Sequence, residues 1–199
     1  KNLREYNRMR ISEEHFLTEA LHMQSPNADA RPDSGDISLL VIHCISLPSG
    51  NFGGDLVSQL FTNQLPKNLP PEVSDLEGLR VAPHIFIDRS GNVTQFVPFH
   101  MRAWHAGKSS WKRRPNCNDY SIGIEVEGSL DQDYETQQYQ ALQKVITALF
   151  EKYPTLSWET IVGHCEIAPN RKVDPGPKFN WLDLIYRLSR DRDIGKLDR

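Results

Sequence analysis

Residues 37–43, ISLLVIH, constrain this chain more than any other stretch. Aliphatic and β-branched side chains follow one another there with little polar alternation, and a turn-rich sequence comes behind them. A strand of that kind is buried on both faces, as in the middle of a sheet packed between helices. Two further strands are expected at 84–88 and 93–97, with Ser90-Gly91-Asn92 between them as a hairpin turn. At 121–128, SIGIEVEG alternates. Ile122, Ile124 and Val126 therefore share one face, and Glu125 and Glu127 the other.

The helices are read from a period near 3.6. Leu56, Val57, Leu60 and Phe61 predict a short helix over 53–62. Tyr139, Leu142, Val145, Ile146, Leu149, Phe150 and Tyr153 predict a longer one over 134–153, stopped by Pro154. A last amphipathic helix is expected at about 180–189, around Trp181, Leu184, Ile185 and Leu188. Residues 1–36 are polar and irregular, with a short helix expected at 15–23. Residues 63–78, with Pro66, Pro70 and Pro71, read as a surface loop. No linker divides the 199 residues. The expectation is one α/β domain over 1–199, a mixed central β-sheet flanked by helices.

Charge and composition narrow the function. A net charge of -3 does not suit a nucleic-acid binder, which usually carries a strongly basic domain. No apolar run approaches the roughly 18 residues of a membrane span, so no membrane partner is expected. Lys1–Arg10 is charged throughout and does not read as a signal peptide, although the chain does not begin with Met and a removed leader would leave no trace. Cys44, Cys117 and Cys165 are odd in number and irregularly spaced. They read as free thiols in a reducing compartment.

Chemistry concentrates at 163–177, GHCEIAPNRKVDPGP. Three prolines stiffen a stretch that also holds His164, Glu166, Arg171, Lys172 and Asp174, which lowers the entropy of fixing polar side chains. A catalytic zinc needs three protein ligands and an open position. His164 and Asp174 can supply two, and His43, at the end of the first strand, can supply a third. Taken by spacing alone, a strand-end His and an Asp-Pro turn are equally at home without a metal. Trp104-His105 reads either as a wall of a binding cleft or as a core tryptophan with a polar neighbour. The basic stretch 108–114, KSSWKRR, reads as a solvated loop or as an attractor of anions.

Five ordered blocks carry a resemblance: LLVIHCISLPSGNFGG (39–54), RVAPH (80–84), VPFHMRAWHAG (97–107), CNDYSIGIEVEG (117–128) and the 163–177 segment. Over about residues 25–188 the chain resembles the AmpD-type N-acetylmuramyl-L-alanine amidases, within the superfamily of peptidoglycan-recognition proteins and phage-type amidases. The resemblance implies a peptidoglycan-recognition-protein/amidase-like fold, with zinc on His43, His164 and Asp174 and catalytic roles for Glu125 and Lys172. It implies hydrolysis of the bond between the lactyl group of 1,6-anhydro-N-acetylmuramic acid and L-alanine of an anhydro-muropeptide, during cell-wall recycling in a bacterial cytoplasm. Arg80 is the candidate partner for a stem-peptide carboxylate, and Trp104 a candidate cleft wall. Two departures stand out: Cys44 where relatives often have Asn, and Asn116 where they carry a basic residue. The rivals are an exported amidase acting on intact wall and a non-catalytic peptidoglycan-binding module. Such binders commonly lack part of the zinc set, which is whole here.

Overall fold

The computed structural model describes residues 8–197, and side chains over 8–190. The charged start at 1–7 and residues 198–199 lie outside the described residues. In chain order the elements are β1 (Leu21–His22), β2 (Ala28–Ala30), β3 (Leu39–Ile45), α1 (Leu56–Phe61), β4 (Ile85–Ile87), β5 (Val93–Gln95), β6 (Met101–Ala103), β7 (Ser110–Trp111), β8 (Arg114–Pro115), β9 (Ser121–Glu127), α2 (Thr136–Lys152), β10 (Ile161–Gly163), α3 (His164–Ile167) and α4 (Trp181–Leu197). A six-stranded sheet runs β1-β5-β4-β9-β3-β10. Only the β4–β5 hairpin is antiparallel within it. Two small sheets, β2-β6 and β7-β8, complete the set.

The apolar run at 37–43 becomes β3, with β9 and β10 on its two sides. One sheet face carries Leu40, Ile42, Ile85, Ile87, Ile122, Ile124 and Val126. They pack with Leu142, Val145, Ile146 and Leu149 of α2 and Leu184 and Leu188 of α4 in one core. Each fully buried aliphatic side chain there contributes about 1.5–3 kcal/mol. Gln138, in the first turn of α2, ties the helix to the end of β9. Its Oε1 accepts from the Glu135 backbone N–H at 2.9 Å and its Nε2 donates to the Glu127 carbonyl at 2.8 Å. The opposite face carries Leu39 and Val41, packed with Ala106, Cys117 and Val162. His43 and Glu125 follow on this second face.

Two expectations fail. Residues 15–23 form no helix. Ile11 and Leu17 make an antiparallel bridge, His15 turns the chain at φ +65°, and Leu21–His22 pairs in parallel with β5. The Leu17 backbone N–H donates to Gln95 Oε1 at 2.7 Å, so pairing to a distant strand overrides local helical spacing. Residues 108–114 are not a loop but a hairpin, β7-β8, turning through Lys112 and Arg113. The 63–78 stretch contains a 3-10 turn at Pro71–Leu76, and α4 runs beyond the expected 189. No helix among the described residues is long and apolar enough to cross a membrane.

All three cysteines are unpaired. Cys44 packs against the core on the sheet face opposite His43, as strand alternation requires, and burial pushes its thiol up to about 12. We expect three free thiols on titration of the denatured protein without reductant. Recovery of a disulfide from freshly prepared native protein would contradict this arrangement.

Candidate active site

The site gathers at the carboxyl ends of parallel strands β3, β9 and β10, where open α/β sheets usually place their ligands. Register does the first part of the work. His43 in β3 is the direct partner of Glu125 in β9, on the same face. β10 pairs in parallel with β3 on its other side and delivers His164 at the first position of α3. The 163–177 segment then returns Asp174 to the same place. The Cys165 backbone N–H donates to the Asp174 carbonyl at 3.0 Å, and Tyr134 Oη donates to the Pro175 carbonyl at 2.8 Å. Gly163 is bare because a Cβ there would stand 2.8 Å from the Pro175 ring.

His43 Nδ1 and His164 Nδ1 face each other at 2.9 Å, and each lies 3.2 Å from Asp174 Oδ2. Both histidines are buried, while Asp174 is partly exposed. Among the described residues this is the group of histidine and carboxylate side chains placed to hold a metal ion, with all three donor atoms within 4.8 Å of one another. Burial holds His43 down to about 4, against the pull of Asp174. Burial alone would raise Asp174, but its bonds to His164 and His43 outweigh it and hold the carboxyl below its ordinary value. Both residues therefore keep metal-binding forms at neutral pH: imidazole unprotonated at one nitrogen, carboxylate ionised.

Glu125 lies beside the cluster, with Oε1 4.0 Å from His43 Nδ1. Its Oε2 is buried and has no hydrogen-bond partner. Burial, then the charge of Asp174, raise its pKa well above the ordinary range, and Lys172 opposes them. Lys172 and Asp174 line an open cavity of about 370 Å³, together with Cys44, Ser46, Gly128 and Leu130. Arg171 lines it as well, and donates to the Ala106 and Lys108 carbonyls at 2.6 and 2.7 Å, clamping the 106–108 turn.

The structure brings His43, His164, Asp174, Glu125 and Lys172 together and leaves two other sequence candidates apart. Arg80 is exposed, with its guanidinium turned to the Leu79 carbonyl, and Trp104 is half-buried with an unpartnered Nε1. Neither lines the cavity. The departure at 116 has a local reason: Asn116 adopts φ +57°, a conformation asparagine tolerates better than most residues.

A family model described as N-acetylmuramoyl-L-alanine amidase matches residues 33–177. The chain belongs to that family. It is 46% identical to the 1,6-anhydro-N-acetylmuramyl-L-alanine amidase AmpD of Escherichia coli K12, over 91% of this chain and 98% of that one. A crystal structure of a selenomethionine AmpD derivative superimposes with a TM-score of 0.86 at 46% identity, covering 89% of this chain and 99% of that one. The E. coli amidase AmiD, solved with anhydro-N-acetylmuramic acid-L-Ala-D-gamma-Glu-L-Lys, gives 0.58 at 27% identity over 89% of this chain and 65% of that one. The mixed sheet with flanking helices is thus the architecture of this amidase family.

Sequence reading missed several residues of this amidase that hold the site. Arg31, in the stretch read as irregular, is buried and donates to the carbonyls of Phe99, Asn118, Asp119 and Ser121. Asn118 Oδ1 accepts from the backbone N–H groups of His105 and Ala106 at 3.1 and 2.8 Å. Glu127, which alternation places on the same face as Glu125 without a role, is buried and accepts from the Gly53 and Arg89 backbone N–H groups at 2.6 and 2.9 Å.

Proposed function

We propose that this amidase hydrolyses the amide between the lactyl group of 1,6-anhydro-N-acetylmuramic acid and L-alanine of the stem peptide, with zinc on His43, His164 and Asp174. The observation that carries the reading is the donor triangle at 2.9–3.2 Å, with an unpartnered Glu125 carboxyl oxygen beside it. Tetrahedral zinc at 2.0–2.1 Å from its ligands separates them by about 3.4 Å, close to these spacings, and two imidazoles with one carboxylate suit its borderline softness. Bound there, zinc would supply Lewis-acid polarisation of the scissile carbonyl and a lowered pKa for water.

The chain's own groups divide the remaining work. Glu125 Oε2 takes the proton of the attacking water and returns one to the leaving amine. Lys172 offers its ammonium to the oxygen on which negative charge develops. The cavity past Asp174 receives the muropeptide, and Arg80 would meet a carboxylate only on a part of the peptide that leaves the cavity. The three unpaired thiols support a reducing, cytoplasmic setting and a role in recycling wall fragments.

The test is chromatographic release of peptide from defined anhydro-muropeptides and from intact sacculi, side by side. Anhydro-muropeptides should be cut much faster. Lys172→Ala should cost on the order of 3 kcal/mol of transition-state stabilisation with zinc content unchanged. Arg80→Ala should lower kcat/KM by about one to two decades, the loss of one charge-assisted hydrogen bond. Equal or faster cleavage of sacculi would overturn the recycling assignment, and a wild-type rate for Arg80→Ala would remove Arg80 from the site.

A further inference from the structure

Behind the donor triangle, His43 Nε2 lies 2.9 Å from His105 Nδ1, and His105 Nε2 lies 3.0 Å from Ser121 Oγ. All three side chains are buried. Two facing imidazole nitrogens with no metal ion between them share one proton, so one ring donates and the other accepts. A His43 that gives its Nδ1 lone pair to a metal carries its proton on Nε2 and needs an acceptor behind it. His105 Nδ1 then has to be that acceptor. The His105 proton falls on Nε2, where the Ser121 hydroxyl oxygen can receive it. The opposite arrangement puts the His43 proton on Nδ1, between Asp174 and His164, and withdraws the lone pair from the site.

We propose that His105 is a positioning residue that fixes the metal-binding tautomer of His43, with Ser121 as the terminal acceptor. This rests on the reading of His43, His164 and Asp174 as metal ligands. Three further observations fit a placed ring. Gly123 is bare in the interior of β9 because a Cβ there would collide with the His105 ring. The backbone N–H groups of His105 and Ala106 both end on Asn118 Oδ1. The Ala106 carbonyl lies 3.1 Å from His164 Nε2. A carbonyl can only accept, so that contact alone leaves the His164 Nδ1 lone pair facing the site. One dipeptide thus serves both histidines. The ring of His105 can donate or accept, and this is why its own far nitrogen needs the Ser121 partner.

The test compares wild type with His105→Ala and His105→Asn. The asparagine can keep an acceptor oxygen near the position of Nδ1. Ring-nitrogen NMR of the zinc-loaded protein should show the His43 Nε2 proton hydrogen-bonded and protected from exchange in wild type and in His105→Asn, and exchanging faster with water in His105→Ala. Zinc affinity, by chelator competition, should fall about 10–100-fold in His105→Ala, as for other groups that orient a ligand. Most of it should return in His105→Asn. Wild-type affinity in His105→Ala, an asparagine variant no better than alanine, or a His43 Nε2 proton as well protected in His105→Ala as in wild type would each overturn the proposal. Should His105→Ala fail to fold by circular dichroism, His105→Asn and the wild-type spectrum still decide it. A wild type that takes up no zinc would remove the metal reading on which the proposal rests, whereas zinc uptake in wild type with undiminished affinity in His105→Ala would remove the proposal alone.

Discussion

His43→Ala, His164→Ala and Asp174→Ala are each expected to lose most of the bound zinc and nearly all activity. Three protein ligands leave no redundancy, because an open coordination position is already reserved for water or substrate. The three losses differ in cause. Asp174 supplies the negative charge of the triangle, so Asp174→Asn, which keeps its shape, should fail almost as badly as the alanine variant. On the proposed assignment the histidines would supply Nδ1 lone pairs, with the Ala106 carbonyl behind His164 and the His105 ring behind His43. These side chains lie on the face opposite the core that α2 covers, so the apolar packing of Ile42, Ile124, Val145 and Leu149 should survive. Elemental analysis after dialysis gives the first readout: about one zinc per wild-type chain and almost none in the variants. Thermal unfolding gives a second. A ligand that binds the native state alone stabilises it by about 4 kcal/mol at a thousand times Kd, so added zinc should raise the wild-type Tm and leave the variants where they are. Wild-type protein without zinc, and without gain on adding it, would sink the assignment.

The parts of this fold legible in the sequence are those whose signal is local and long. β3 is seven residues of nearly unbroken apolar sequence, β9 alternates over its whole length, and α2 repeats its stripe over four turns. β10, with three residues, and β1, with two, carry no pattern a reader could separate from loop. The β7-β8 hairpin was hidden for another reason. Its turn places Lys112 and Arg113 at φ +47° and +70°, where Asn-Gly would be the usual signature. The site divides in the same way. A stiff polar loop at 163–177 is visible as such, but His43, His164 and Asp174 meet only because β10 pairs with β3, which no spacing reveals. Resemblance supplied what spacing could not. One available signal went unused: a glycine in the interior of an otherwise β-branched strand marks close approach, and Gly123 marks the His105 ring.

Glu125 and Glu127 stand two residues apart on one face of β9, and alternation cannot tell them apart; their partners can. Glu125 keeps a buried oxygen with no hydrogen-bond donor, beside the donor triangle. Glu127 has both oxygens engaged, one by the Gly53 N–H and one by the Arg89 N–H. A carboxylate already holding two backbone donors has little freedom to exchange protons, whereas an unpartnered one is poised to. Glu125→Ala should therefore keep its zinc and its fold and lose roughly 10²–10⁴-fold in kcat, the range for removal of a general acid–base group. Glu125→Gln, which fills the same space and cannot accept a proton, should lose about as much. Glu127→Ala should do the reverse. It removes the acceptor of the Gly53 and Arg89 N–H groups, which are only partly shielded from water, and costs about 1–3 kcal/mol of stability, while the fraction that remains folded turns over at close to the wild-type rate. The measurements are kcat per folded, zinc-loaded chain and the denaturant midpoint, for all three variants. Near-normal turnover in Glu125→Ala with turnover abolished in folded Glu127→Ala would exchange the two roles and show that an engaged carboxylate, not the unpartnered one, moves the proton.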